Sequence, residues 1–173
     1  MLGGFPRRHD MNKKTDYAEM AKRCIAHLVR ESQLSSQPVN NPEEAAQFVA
    51  LAMVAGGDPC RECVGVLCLN AAGRVTDVRI LGVGTVNQAP VYPREVAKAA
   101  LLSAATAVIL FHNHPGGQCR PSAEDLALTR SLGEALRPLD IELHDHLILA
   151  GNQVYSTTFG RIVPFAPEAR TLF

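Results

Sequence analysis

Apolar and polar positions follow two rhythms along this chain, and the rhythm changes wherever glycine and proline cluster. From Tyr17 to Glu31, apolar residues recur at Tyr17, Met20, Ala21, Cys24, Ile25, Leu28 and Val29, the spacing of one helix face. That stripe predicts an amphipathic helix over 17–31, set off by a polar linker over 32–40. Asn41-Pro42-Glu43-Glu44 starts a second helix, with Asn as cap, Pro at the first helical position and acid in the first turn. Gly56-Gly57-Asp58-Pro59 ends it. Glu62 to Leu69 and Val75 to Leu81 then alternate as strands, joined by a turn over 70–74. On the first strand Glu62, Val64, Val66 and Cys68 share one face, and Cys63, Gly65, Leu67 and Leu69 the other.

Pro93, within Val91-Tyr92-Pro93-Arg94-Glu95, opens a further helix reaching about Ala104. Ala107 to Phe111 is a continuous apolar run, the pattern of a strand buried on both faces. Ser122 to Arg137 reads as a helix with Leu128, Leu132, Ala135 and Leu136 inward. Gly133 is expected to let that helix approach the sheet closely, and Pro138 to close it. Ile141 to Leu149 and Val154 to Thr157 form a hairpin about Gly151-Asn152. This order predicts an α/β (α+β) fold, a mixed β-sheet sandwiched by helices with an N-terminal helical extension. The chain divides into a flexible arm over 1–16, the helix over 17–31, the linker over 32–40 and one domain over 41–173.

Composition narrows the function classes. Hydrophobic residues make up 47% of the chain, enough for a sizeable core. Lys+Arg 17 against Asp+Glu 17 leaves no net charge, which argues against nucleic acid as the main partner. Arg7, Arg8, Lys13 and Lys14 keep a weak nucleic-acid contact through the N-terminal arm in play. Five cysteines at no framework spacing, with no apolar leader segment, point to a reducing cytoplasm rather than secretion. No apolar run reaches membrane-spanning length, so no membrane partner is expected.

The candidate chemistry lies where the buried strand ends. His112 and His114 are two residues apart, so on an extended strand end both imidazoles point the same way. Pro115, Gly116 and Gly117 break the strand, and Pro121 sets up a helix start at Ser122. Asp125, in the first helical turn, is thereby brought back toward the histidines. Two neutral imidazoles and a carboxylate are a normal protein ligand set for catalytic zinc, with a fourth position left for water. The strand pattern by itself reads Glu62 as a surface carboxylate at a strand end.

The spacing His112-x-His114, seven residues, then Ser122-x-x-Asp125 resembles the JAMM metal motif of the JAB/MPN superfamily. Its RadC-like branch is resembled in His112-Asn113-His114-Pro115, Pro121-Ser122, Val91-Tyr92-Pro93-Arg94-Glu95 and Asp145-His146-Leu147-Ile148, over roughly residues 41 to 160. The sequence departs from the branch at Gly116, where serine is usual, and residues before 41 lack the helix-hairpin-helix segment of longer RadC proteins. The resemblance implies Zn2+ held by His112, His114 and Asp125, with zinc-activated water cleaving a peptide or isopeptide amide. It also implies that Glu62 is the general base and that Ser122 helps stabilise the oxyanion. From the residues alone Ser122 is a helix N-cap, and a zinc-bound Asp125 is expected to face away from any capping box.

Other clusters are read more plainly. His144 and His146 are expected on one strand face and Asp145 on the other, supporting the active site rather than holding a second ion. Cys60 and Cys63 have ligand spacing with no second cysteine pair, and Cys119 in the loop is read as an ordinary thiol open to oxidation or stray ligation. Two rivals to a metallopeptidase acting on a peptide or protein remain. One is a DNA-repair or mobile-element accessory protein; the other is a non-catalytic, metal-stabilised interaction module. The helix over 17–31 is expected by default to pack on its own domain, with a partner chain or a homodimer contact as the alternatives.

Overall fold

The computed structural model describes residues 38–58, 60–84 and 91–164. The basic arm and the sequence-predicted helix over 17–31 lie outside these residues. The elements run α1 (Pro42–Gly56), β1 (Cys63–Leu69), β2 (Val75–Val83), α2 (Pro93–Leu102), β3 (Ala107–Asn113), α3 (Ala123–Leu136), β4 (Glu142–Ala150), β5 (Gln153–Ser156) and β6 (Arg161–Val163). A short 3-10 turn over Arg137–Leu139 links α3 to β4 and contains Pro138. Among the described residues no helix is long and apolar enough to cross a membrane.

The strands form one six-stranded sheet in the order β2-β1-β3-β4-β5-β6. All neighbours are antiparallel except β3 and β4, which run parallel because α3 carries the chain across between them. The fold is therefore the mixed sheet between helices that the element order predicts. One face holds α1, whose Phe48, Val49 and Ala52 pack on Leu67, Ile109 and Leu147. The other holds α2 and α3, whose Val96, Ala100, Leu132 and Leu136 pack on Val66 and Leu110. Central strands β1 and β3 are buried along their whole length, which explains their nearly unbroken apolar sequence. At the start of the described residues, Val39 N–H donates to Gly73 O at 2.8 Å, tying the end of the linker to the β1–β2 turn.

Helix starts follow the sequence signals. Asn41 caps α1 by accepting from Glu44 N–H at 2.8 Å, and Pro42 takes the first position. Pro93 does the same for α2, and Ser122 caps α3. Three features depart from expectation. Strand β6 has no counterpart in the sequence reading, because three residues are too few to show a period. Gly133 is not a close-approach position among the described residues: a Cβ built there meets none of their atoms within 4 Å outside its own helix backbone. Gly65 is one instead, since a Cβ there would collide with the Phe111 ring and lie 2.6 Å from Arg79 O.

The third departure is in β4. Val108 pairs with Leu143 and Ile109 with Asp145, so His144 is the extra residue of a β-bulge. The bulge breaks the alternation that would have put His144 and His146 on one face. His144 is exposed and bonds Glu142 Oε2 through Nε2 at 3.0 Å, while His146 is fully buried. Asp145 turns toward the β5–β6 turn, where its carboxylate accepts from the Ser156 hydroxyl and from Thr158 N–H at 3.0 Å.

Candidate metal centre

The site forms at the end of β3, on the sheet face covered by α3. His112 pairs directly opposite Val64 of β1, and opposed residues of an antiparallel pair share a face. Its side chain therefore emerges toward α3, at 5% exposure. His114, two residues on, keeps that direction because its N–H still donates to Leu149 O of β4 at 2.7 Å. The chain then turns: Gly117 N–H donates to His114 O at 3.1 Å, and Gly117 has φ +81, a conformation that favours glycine. A Cβ built at Gly116 meets nothing within 4 Å among the described residues, so a small side chain would fit there.

Helix α3 brings Asp125 to the histidines. His112 Nε2 lies 3.2 Å from Asp125 Oδ1, His114 Nε2 lies 3.4 Å from Asp125 Oδ2, and the two Nε2 atoms are 2.8 Å apart. One ligating atom from each residue falls within 4.8 Å of the others. Zinc bonds of about 2.0–2.1 Å in a tetrahedron require ligand atoms roughly 3.3 Å apart, close to this spacing. The donor set fits a cation on chemistry as well. His114 Nδ1 is 2.7 Å from Gln118 O, a carbonyl that can only accept, so Nδ1 carries the proton and Nε2 presents its lone pair.

The electrostatics agree. Burial by itself would raise the Asp125 carboxyl, but the His112 and His114 rings in their protonated form, together with the Ser122 hydrogen bond, outweigh it and hold the group far below the usual carboxylate range. The hydrogen bond to Asp125 pushes His114 up against the effect of its own burial, and the Glu62 charge adds to that push. Burial drives His146, behind His112, down to about 3. The site is thus an anion and two imidazoles, in which His114 is poised to take a positive charge.

Asp125 does not turn away from the cap. Ser122 N–H and the Ser122 hydroxyl donate to Asp125 Oδ2 at 2.8 and 2.7 Å, and Asp125 N–H donates to Ser122 Oγ at 3.1 Å. A carboxylate has about four acceptor positions, so Asp125 closes the capping box and still faces the histidines. Ser122 therefore orients the carboxylate, and in this arrangement its hydroxyl proton points at Asp125 Oδ2.

Glu62 precedes β1 and is half-buried. Glu62 lies two residues before Val64, the β1 residue paired with His112, and its charge reaches His114. Two hydrogen bonds hold the segment: Gly84 N–H donates to Glu62 O at 2.7 Å, and the Arg61 side chain donates through Nε to Gly84 O at 2.8 Å. The residue that sequence reasoning missed is Asn113. It is 8% exposed, accepts from Cys63 N–H at 2.7 Å and donates to Arg61 O at 3.0 Å, so it ties the segment bearing Glu62 to the segment bearing the histidines. The only signal in the sequence is a polar residue at the end of a buried strand.

The cysteines stand outside this group. Cys60 is exposed, and Cys63 and Cys119 are buried. Cys119 Sγ donates to Ile148 O at 3.3 Å, and burial pushes its thiol up, away from the reactive thiolate.

Comparison with known proteins places this geometry. The family model described as a RadC-like JAB domain matches residues 39–161, and so covers every residue of the site. The chain belongs to the RadC-like JAB domain family. A UPF0758 protein of Nitrosomonas eutropha is 37% identical over 138 residues, covering 80% of this chain and 58% of that protein. One of Janthinobacterium sp. is 40% identical over 145 residues, covering 81% and 62%. One of Photobacterium profundum is 36% identical over 138 residues, covering 80% and 58%. This RadC-like chain spans about three-fifths of the length of these curated relatives.

Proposed function

We propose that the chain is a zinc-dependent hydrolase that cleaves a peptide or isopeptide amide. The observation that carries the reading is the convergence of His112 Nε2, His114 Nε2 and the Asp125 carboxylate, with the Glu62 charge acting on His114. A zinc ion held by these three residues would lower the pKa of a bound water to about 7 and polarise the carbonyl under attack. The chain's own residues would do the rest. Glu62 would take the proton from the attacking water and return it to the leaving amine. Asn113 would hold Glu62 at its station through Arg61 and Cys63. Ser122 would support the oxyanion by turning its hydroxyl proton outward from Asp125 Oδ2. The free thiols of Cys60, Cys63, Cys68 and Cys119 suit a reducing cytoplasm as the place of action.

The test is to incubate zinc-loaded protein with a mixed peptide library and with lysine-linked isopeptide conjugates, and to read new amine termini by mass spectrometry. Cleavage by the parent, and loss of cleavage in Glu62→Gln with zinc content retained, is the expected result. A Glu62→Gln variant that binds zinc and cleaves as the parent does would remove Glu62 from the chemistry. A zinc-loaded parent that cuts none of the substrates would favour a non-catalytic module.

A further inference from the structure

Behind the three ligating atoms, buried side chains form a chain with a fixed direction. His112 Nδ1 is 2.8 Å from His146 Nε2, and His146 Nδ1 is 2.7 Å from Thr129 Oγ1. The Thr129 hydroxyl in turn lies 2.7 Å from the backbone carbonyl oxygen of Asp125. A carbonyl oxygen only accepts, so the Thr129 proton is committed to Asp125 O. Thr129 Oγ1 then meets His146 as an acceptor, which places the His146 proton on Nδ1.

His146 is fully buried, and among the described residues its ring has no carboxylate as a hydrogen-bond partner. It is therefore neutral, with one proton, and its Nε2 is bare. A bare Nε2 at 2.8 Å from His112 must accept, so His112 carries its proton on Nδ1. The Nε2 of His112 is left as an open lone pair beside His114 Nε2 and Asp125 Oδ1. Each bond has one allowed direction because the chain ends on a group that cannot donate.

We propose that Thr129 and His146 are positioning residues that fix His112 as an Nε2 metal ligand, an inference that rests on the metal-site reading above. The tautomer of a histidine ligand is set by the bond its other nitrogen makes, and here that bond is relayed through a second imidazole. The anchor is also local to the site. Asp125 and Thr129 are four residues apart on α3, one turn on the same face, so a single helix supplies a ligand and the fixed end of the relay.

The test combines ring tautomers with zinc affinity on the full chain. Long-range proton–nitrogen correlation spectra of protein with 15N-labelled histidine, taken after chelation at a pH where the rings are neutral, should show His146 and His112 protonated on Nδ1. In Thr129→Val the His146 ring loses its acceptor and its proton should move to Nε2. Zinc affinity, measured by competition with a chromophoric chelator, should fall about 10- to 100-fold. Thr129→Ser keeps the hydroxyl and should restore both readouts, which repair of packing alone would not do. A His146 ring protonated on Nε2 in the parent, or a Thr129→Val variant that binds zinc as tightly as the parent, would overturn the proposal. A parent that takes up no zinc would overturn the metal reading instead, while the ring spectra would still decide the relay.

Discussion

Asn113 accepts a hydrogen bond from the backbone N–H of Cys63 at 2.7 Å, across 50 residues of sequence. The same side chain donates to Arg61 O, so both atoms flanking Glu62 along the backbone are held from between the two histidines. Replacing Asn113 by Ala leaves the Cys63 N–H buried without a partner, at a cost of about 1–3 kcal/mol. Asn113→Asp keeps the acceptor and loses the donor to Arg61 O. The expected order of thermal stability is Asn113, then Asp, then Ala. Hydrolysis by zinc-loaded protein should fall in both variants while zinc content holds, because it is Glu62 that loses its station.

Two glycines predict opposite outcomes for one substitution. Gly65→Ala puts a methyl group into the Phe111 ring and against Arg79 O, so overpacking should cost about 1–3 kcal/mol. Gly133→Ala meets open space inside a helix and should gain about 0.4–1 kcal/mol through the unfolded chain. Denaturant midpoints for the two variants check both signs.

The difference between these glycines marks what the sequence could carry. Local signals were enough for β3, for the proline-led starts of α1 and α2, and for the turn that brings Asp125 to His112 and His114. Each of these is written in a few adjacent residues. What needed the structure was register. The bulge at His144 is invisible to an alternating pattern, and it separates His144 from the site while leaving His146 behind His112. Asn113 reads as one more polar residue until β1 and β3 are paired. Asp125 shows the same limit on a smaller scale, since spacing cannot reveal that one carboxylate serves the cap and the histidines together.

Metal binding should strengthen as pH rises. His114 is pushed above its ordinary 6.5, first by its hydrogen bond to Asp125. A raised folded pKa stabilises the metal-free chain below the unfolded value, and that contribution is lost as pH rises through the folded value. Zinc must displace the same proton. At fixed zinc, the rise in Tm produced by the metal should therefore grow between about pH 6 and about pH 8. A zinc-induced shift that is flat over that window would contradict the assignment of His114 as a ligand.

The most direct test of the central claim is zinc stoichiometry by elemental analysis on chelated and reloaded protein. The account predicts about one zinc per chain for the parent, held by His112, His114 and Asp125 with a fourth position open to water. It predicts loss of that zinc in His114→Ala and in Asp125→Ala, each shown to be folded by circular dichroism. A parent without zinc, or either variant retaining the parent's zinc content, would contradict it.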